Sequence, residues 1–356
     1  MHHELPAERQ IMAPEPDRIE RLLCEGVRDK VYPGAVWAVG DADGIQLSGS
    51  HGLLDPTDPE HPMRLDTIFD VASLTKVLAV WAAIGVLWEE NRLGLYDRLA
   101  TLMPHLDGHQ LGEVTVHHLL THTAGLPLRA NLKNLYGTDP LRIRDGVLHE
   151  PLNRPPGQAV EYTDRAALIL GLLTEHLTKI PLDRFVHTRL WQPLGMATTR
   201  FGPLPPDLIP RCAPTEEDPE TGQHLKGIAH DFSARLLGGV CGIAGAFSTL
   251  TDLALFLIHL LQPSATRSVI DPCWTQDSLQ VHTRDLQPAR GLFWHPAPGT
   301  SPDDDIYVHY GFTGTGMWIS LKQERWAILL TNKLYYGRDR QPLIDVRNAF
   351  RALAFI

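Results

Sequence analysis

Ser73-Leu74-Thr75-Lys76 is the stretch whose residue types and spacing could do chemistry, and an apolar run, 77–88, follows it at once. A serine and a lysine three residues apart share one face of a helix. A serine hydroxyl is a poor nucleophile at neutral pH unless a neighbouring group takes its proton. A lysine one turn away can take it, or can hold the group that does. A helix N-terminus adds unpaired N–H groups and a positive dipole end, both suited to developing negative charge. The bland reading is simpler: Ser73 as a helix cap and Lys76 as a solvated first-turn residue. With ten serines and seven lysines in the chain, chance supplies about 0.2 such matches, so the surroundings must decide.

Two more segments carry reactive types. Tyr162-Thr163-Asp164 follows Pro156-Gly157 and precedes an apolar run from Ala166; His309-Tyr310-Gly311 precedes a strand pattern from Met317. Each has a bland alternative. Tyr162 can be a packed aromatic, Asp164 a helix N-cap, and His309 an ordinary strand histidine. Gly311, Gly314 and Gly316 do not have the G-x-G-x-x-G spacing of a phosphate loop, and tight strand-end turns explain them better. Among 18 histidines, His118 and His122 stand four apart. No glutamate lies between them and no third ligand is near, so neither a metal nor any other cofactor is expected.

The elements that must position these groups follow from periodicity. Residues 17–27 have the spacing of an amphipathic helix. Residues 35–39 and 45–47 read as strands joined by the turn Asp41-Ala42-Asp43-Gly44. A loop rich in Pro, Asp and His covers 54–62, and the helix opening at Ser73 ends near 91–94. Helices are expected at 115–120, 166–177 and 183–190, and a proline-rich loop at 202–222. Thr249, with Asp252 three residues on, caps a helix over 253–261. A hairpin spans 317–321 and 326–331, and a last helix begins near Pro342. Strands at both ends with helices between predict an α+β fold: an antiparallel sheet flanked by helices from 1–72 and 240–356, and a mostly helical part, 73–239.

Composition bounds the partners. At 356 residues the chain can bury an ample core. A net charge of −10 argues against a nucleic-acid or anionic-membrane surface. The N-terminal ten residues lack the basic and apolar regions of a secretory signal, and the run 77–88 is too short to span a bilayer. A cytoplasmic location is therefore expected. The four cysteines, Cys24, Cys212, Cys241 and Cys273, are scattered and read as reduced. Oligomeric state is not legible.

In order and context, the three segments resemble the serine β-lactamase and penicillin-binding-protein superfamily, nearest the branch of class C β-lactamases, DD-peptidases and family VIII carboxylesterases. Their signatures are Ser-x-x-Lys, Tyr-x-Asn and Lys-Thr-Gly, the last often His-x-Gly in esterase-like members. The stretches 69–76, 116–127, 244–249 and 309–314 are similar to family text, and the resemblance spans roughly 33–335. It implies a β-lactamase/transpeptidase-like fold with the active site between its two parts. It also implies roles: Ser73 as the nucleophile forming an acyl-enzyme, and Lys76 as its hydrogen-bond partner, which favours ionisation of a neighbouring phenol. That phenol would be Tyr162, the general base. An unperturbed tyrosine ionises near ~10, so it needs a cation close by, Lys76 or a protonated His309. The backbone N–H groups of Ser73 and Phe312 would form the oxyanion hole, with His309, Tyr310, Gly311 and Asp164 around the substrate. His230-Asp231 also resembles family text, without a mechanistic role.

The departures bear on substrate. His309 and Tyr310 stand where a β-lactamase usually has lysine and threonine, and Asp164 stands in place of asparagine. Histidine is only partly charged at pH 7, and Asp164, ionised, would hold Lys76 protonated. Both changes weaken recognition of an anionic β-lactam or peptide terminus. The expectation is a serine hydrolase of small-molecule esters or amides, carboxylesterase-like. The competing readings are β-lactamase or DD-peptidase activity on β-lactam or peptide substrates, and a non-catalytic binding protein on the same scaffold.

Overall fold

The apolar strand patterns at the two ends of the chain pair with each other. β1 (Gly34–Asp41) runs antiparallel to the last strand, with Ala35 opposite Thr331 and Asp41 opposite Arg325. The computed structural model describes residues 16–128, 132–262 and 269–356. The N-terminal segment read for a signal, and 129–131, therefore lie outside the described residues. Between the paired ends come β2 (Gly44–Asp55), β3 (Asp58–Pro62), β4 (Phe69–Asp70), β5 (Arg200–Phe201) and β6 (Ala246–Ser248). β7 (His295–Pro296), β8 (Tyr307–Tyr310), β9 (Gly316–Ser320) and β10 (Arg325–Thr331) follow. The large antiparallel sheet has the order β3-β2-β1-β10-β9-β8-β7, and a small one the order β4-β6-β5.

Alternation along the central strands sorts their side chains between two layers. Ala35, Trp37 and Val39 pack with Ile19 and Leu23 of the helix Pro16–Arg28 and with Phe350 of the helix Gln341–Ala354. Val36 and Ala38, on the opposite face, enter the larger core with Ile328 and Leu330. The expected loop at 54–62 is instead the end of β2 and the whole of β3. Every residue of β3 is exposed, and an edge strand is where prolines can sit without breaking a ladder.

Ser73 opens the central core helix, though not as the uniform helix that was expected. Ala72–Leu74 form a 3-10 turn, Lys76–Trp81 are wound wide as a π-helix, and Ala82–Glu89 are regular α-helix. The Thr75 hydroxyl accepts from Ala246 N–H across to β6, and Lys76 turns its ammonium towards the cleft. Wide turns of this kind recur at functional sites. Ala72 holds a left-handed φ of 48°, a strain of roughly 1–2 kcal/mol for a residue with a Cβ. Burial offsets it: Val77, Leu78, Val80, Trp81 and Ile84 are all fully buried, at roughly 1.5–3 kcal/mol each. The stretch Ala72–Glu89 is long and apolar enough to cross a membrane by length and composition, but 83% of it is buried inside the fold.

The helices Val116–Leu120 and Asp164–Thr178 lie where the pattern placed them. Leu182–Val186 continues in wide turns to Trp191. The cap of the second is a correction: Thr163, not Asp164, is the N-cap, its hydroxyl accepting from Arg165 N–H. Asp164 is thereby free for other work. The Thr249 cap is as expected, accepting from Asp252 N–H at the start of Leu250–Leu261.

Candidate active site

Lys76 is the electrostatic centre of the site. Its side chain is fully buried, and its ammonium donates to three acceptors: Ser73 Oγ at 3.0 Å, the Ile243 carbonyl at 2.8 Å and Asp164 Oδ1 at 2.8 Å. Burial opposes the charge, but the Asp164 carboxylate, with Tyr162 beside it, outweighs burial and raises the pKa above the ordinary lysine value. An ammonium with three donors committed has no lone pair to offer. The Ile243 carbonyl reaches it because Gly242 permits close approach: a Cβ there would lie 2.0 Å from the Ala167 carbonyl.

Tyr162 is held by the segment before Pro127. The Glu161 N–H donates to the His122 carbonyl at 2.8 Å, and Thr163 Oγ1 donates to the Pro127 carbonyl at 2.9 Å. The His122 ring packs on Tyr162 with centroids 4.6 Å apart, and on Phe293 at 5.2 Å. His122 Nδ1 accepts from Thr163 N–H at 3.5 Å, so its proton sits on Nε2, and burial pushes its pKa well below the ordinary histidine value. The pair His118 and His122, suggestive of metal by spacing alone, is used otherwise. His118 Nδ1 accepts from Thr115 N–H in the helix cap, and His122 clamps Tyr162. Lys76 Nζ lies 5.3 Å from the Tyr162 ring centroid, close enough for the ammonium and the phenol to interact electrostatically.

His309 and Tyr310 end β8, so their side chains leave opposite faces of the strand. His309 is buried, its Nδ1–H donating to the Phe293 carbonyl at 2.7 Å. Burial and the charge of Lys76 push its pKa well below the ordinary value. The protonated His309 entertained from sequence is therefore corrected: this ring is neutral at pH 7. The Tyr310 ring packs on Trp318 at 5.5 Å and beneath the Arg347 guanidinium at 4.4 Å. Gly311 lets the strand end run against the nucleophile segment, since a Cβ there would meet Thr315 Oγ1 at 2.0 Å and the Val71 carbonyl at 2.4 Å. Among the described residues, neither the Ser73 nor the Phe312 backbone N–H has a protein acceptor.

Ser73, Tyr162, Asp164, His309, Tyr310 and Phe312 line one cleft of about 1140 Å³. Lys76, fully buried, meets it through Ser73 and Asp164, and Gly311 joins the lining residues Tyr310 and Phe312. Sequence reasoning missed Arg290, His295 and the pair Arg338 and Arg340, which line the same cleft. The Arg290 guanidinium lies 5.7 Å from the Tyr162 ring centroid. Its Nε is buried without a partner, and it forms no ion pair among the described residues. No motif surrounds Arg290 in the chain, so nothing short of the fold could have placed it beside Tyr162.

The Beta-lactamase family profile matches residues 19–350. An Escherichia coli K12 protein, provisionally named a D-alanyl-D-alanine carboxypeptidase, is 28% identical over 77% of this chain and 71% of its own length. The fold is similar to that of EstCE1, a hydrolase with promiscuous acyltransferase activity: TM-score 0.74 at 19% identity, covering 94% of this chain and 97% of that one. It is similar as well to a class C β-lactamase from Rhodobacter sphaeroides: TM-score 0.74 at 17% identity, covering 94% and 99%. A penicillin-binding-protein homologue from Pyrococcus abyssi has TM-score 0.76 at 19% identity, covering 95% and 76%. With a profile match that runs from the first helix into the last, and an antiparallel sheet and helices arranged as in these structures, the chain belongs to the β-lactamase family of serine hydrolases.

Proposed function

We propose that Ser73 hydrolyses carboxylic esters through an acyl-enzyme, with Tyr162 as the general base. The observation that carries this reading is the saturation of Lys76: with its three donors on Ser73, Ile243 and Asp164, it orients the nucleophile but cannot accept its proton. As the general base, Tyr162 takes the Ser73 proton as Oγ attacks the carbonyl, with the Lys76 ammonium 5.3 Å from its ring. The oxyanion develops towards the Ser73 and Phe312 N–H groups, for which removal of one donor typically costs about 10²–10³ in rate. Tyr162 then returns the proton to the departing alkoxide. In the second half it takes a proton from a water that attacks the acyl-Ser73 ester and passes that proton to Ser73 Oγ as the carboxylic acid leaves, restoring both groups. On this reading the cleft lies between the sheet-bearing part, 1–72 with 240–356, and the helical part, 73–239, both of which contribute lining residues.

The neutral His309 in the third segment supports an ester: it offers no fixed cation for a substrate carboxylate. One observation favours the second reading. Arg290 is an uncommitted guanidinium beside Tyr162, suited to the carboxylate of a β-lactam or a peptide terminus, and the Escherichia coli relative's name points the same way. A single comparison separates them. Wild-type protein should give a burst and turnover with p-nitrophenyl butyrate that Ser73→Ala abolishes, without a penicillin mass adduct or nitrocefin turnover. Adduct and nitrocefin turnover without ester turnover would establish the second reading. Ester turnover retained by Ser73→Ala would sink both.

A further inference from the structure

The His230-Asp231 segment, prominent in the sequence and without a role there, splits between two tasks in the fold. Asp231 caps the helix Phe232–Leu236, accepting from Ala234 N–H at 2.7 Å. His230 reaches across the molecule to Asp70. Its backbone N–H and its Nδ1 both bond Asp70 Oδ2, at 2.8 and 3.2 Å, and both side chains are buried. The other oxygen, Asp70 Oδ1, accepts from the N–H of Ala72 at 2.8 Å, the residue immediately before Ser73 and the one with the strained φ. One carboxylate thus fixes the nucleophile segment with one oxygen and His230 with the other.

The far side of His230 meets the other half of the oxyanion hole. Its ring lies over the Phe312 ring, centroids 5.9 Å apart and planes inclined by 17°, within the range of offset aromatic stacking. The Arg340 and Arg338 guanidinium carbons sit 5.0 and 5.7 Å from the Phe312 centroid, and Arg338 is itself held by a two-bond pair to Glu216. Phe312 is a turn residue outside any strand. The peptide that carries its N–H is held at the Gly311 carbonyl by Arg347 Nη2 at 2.8 Å and Gly314 N–H at 3.2 Å, and the ring contacts brace it from the side-chain end. The neighbouring Thr313 Oγ1 donates to the Asp70 carbonyl at 2.7 Å, closing the circuit on the same residue.

We propose that His230, anchored by Asp70, is a positioning residue for the reaction: its ring sets the Phe312 N–H at the correct distance from Ser73 Oγ for the oxyanion. This rests on the reading that Ser73 is the nucleophile and Phe312 a donor. His230 also lines the cleft, so a positioning role is told from substrate contact by a fall in kcat at constant KM.

The test uses the full chain, with Ser73 labelled by a fluorophosphonate to count competent sites. Turnover of p-nitrophenyl butyrate per labelled site and affinity for phenylboronic acid, which forms a tetrahedral adduct on the serine, are then measured. In His230→Ala, kcat per site should fall about tenfold to 100-fold, the scale of a misplaced catalytic group, with KM within about twofold. Boronate affinity should fall by the same factor. His230→Phe, which keeps the ring over Phe312, should recover part of the loss, whereas His230→Asn, which keeps a donor for Asp70 but no ring, should not. Unchanged kcat per labelled site with a lowered melting temperature would overturn the proposal in favour of a purely structural pair. A raised KM at constant kcat would overturn it in favour of substrate contact. If His230→Ala labels too poorly to read, the Phe and Asn variants decide alone, equal kcat per site overturning the proposal. Activity surviving in Ser73→Ala is a separate result that removes the underlying reading, whatever the His230 variants do.

Discussion

Asp164 changes what its neighbour Lys76 can be. Lys76 has no solvent to stabilise its charge, and burial alone would drive its pKa down. The carboxylate at 2.8 Å reverses that, with Tyr162 adding to it. Asp164→Asn keeps the shape and removes the anion, so the lysine pKa must fall. The sign follows directly: the protonated form that orients Ser73 is then lost at lower pH. Loss of kcat for p-nitrophenyl butyrate on the alkaline side should therefore set in at lower pH in Asp164→Asn than in the wild type, whose raised lysine keeps its proton across the range. A pH–rate profile between pH 6 and about 10.5 reads it, and an alkaline loss that sets in no earlier than in the wild type would show that Asp164 is not what keeps Lys76 charged. Because Asp164 is half-exposed, its ion pair should contribute less to stability than to chemistry.

The reacting groups come from segments far apart in the chain, and what joins them is a pair of threonine straps. Thr313 Oγ1 donates to the Asp70 carbonyl and Thr315 Oγ1 to the Val71 carbonyl, tying the turn between β8 and β9 to the approach to Ser73. Arg347, on the last helix, donates to the Gly311 and Thr315 carbonyls of that same turn. Thr313→Val preserves volume but leaves a buried carbonyl without its donor, a cost of about 1–3 kcal/mol. Thermal unfolding should register that loss, and kcat should fall with it as the turn drifts from Ser73; a variant that melts lower but turns over normally would separate the strap from catalysis. None of this was legible beforehand, for a physical reason. Periodicity exposes elements long enough to repeat, and so the strands at 35–39 and 326–331 and the helix from Ala166 were readable. β4 and β6 have two and three residues, too short for any period, yet they carry the approach to Ser73. The helices Pro140–Leu148 and Pro272–Ser278 likewise went unread. The reactive residues were legible because each sits in a local motif. Their supports, His122, Arg290 and Asp70, act on residues 41 to 160 positions away. Asp70 and His122 stand in stretches similar to family text, but nothing local names their distant partners, and Arg290 leaves no local trace.

Histidine burial governs how the whole molecule should respond to pH. His122 and His309 are held neutral well below the ordinary value by burial, and His117 and His295 are lowered to about 4, again chiefly by burial. In the unfolded chain each takes a proton near ~6.5. Below that pH the unfolded state binds more protons than the native one, so stability falls as pH falls, by at most about 1.4 kcal/mol per pH unit for each such ring. His230 runs the other way: burial opposes its charge, but Asp70 raises its pKa above 6.5. Its contribution is complete below 6.5 and is lost as pH rises through the raised value. Eight lowered rings, these four together with His51, His118, His176 and His259, against one raised place the stability maximum between ~6.5 and the raised pKa of His230, with the steeper slope on the acid side. Melting temperature measured from pH 5 to pH 9 should trace that asymmetric peak. His295→Gln should flatten the acid limb by one ring's share, and His230→Asn should remove the alkaline decline. An acid limb of unchanged slope in His295→Gln would mean that the protons are taken up elsewhere, and that the buried imidazoles near Tyr162 do not set the acid tolerance of the fold.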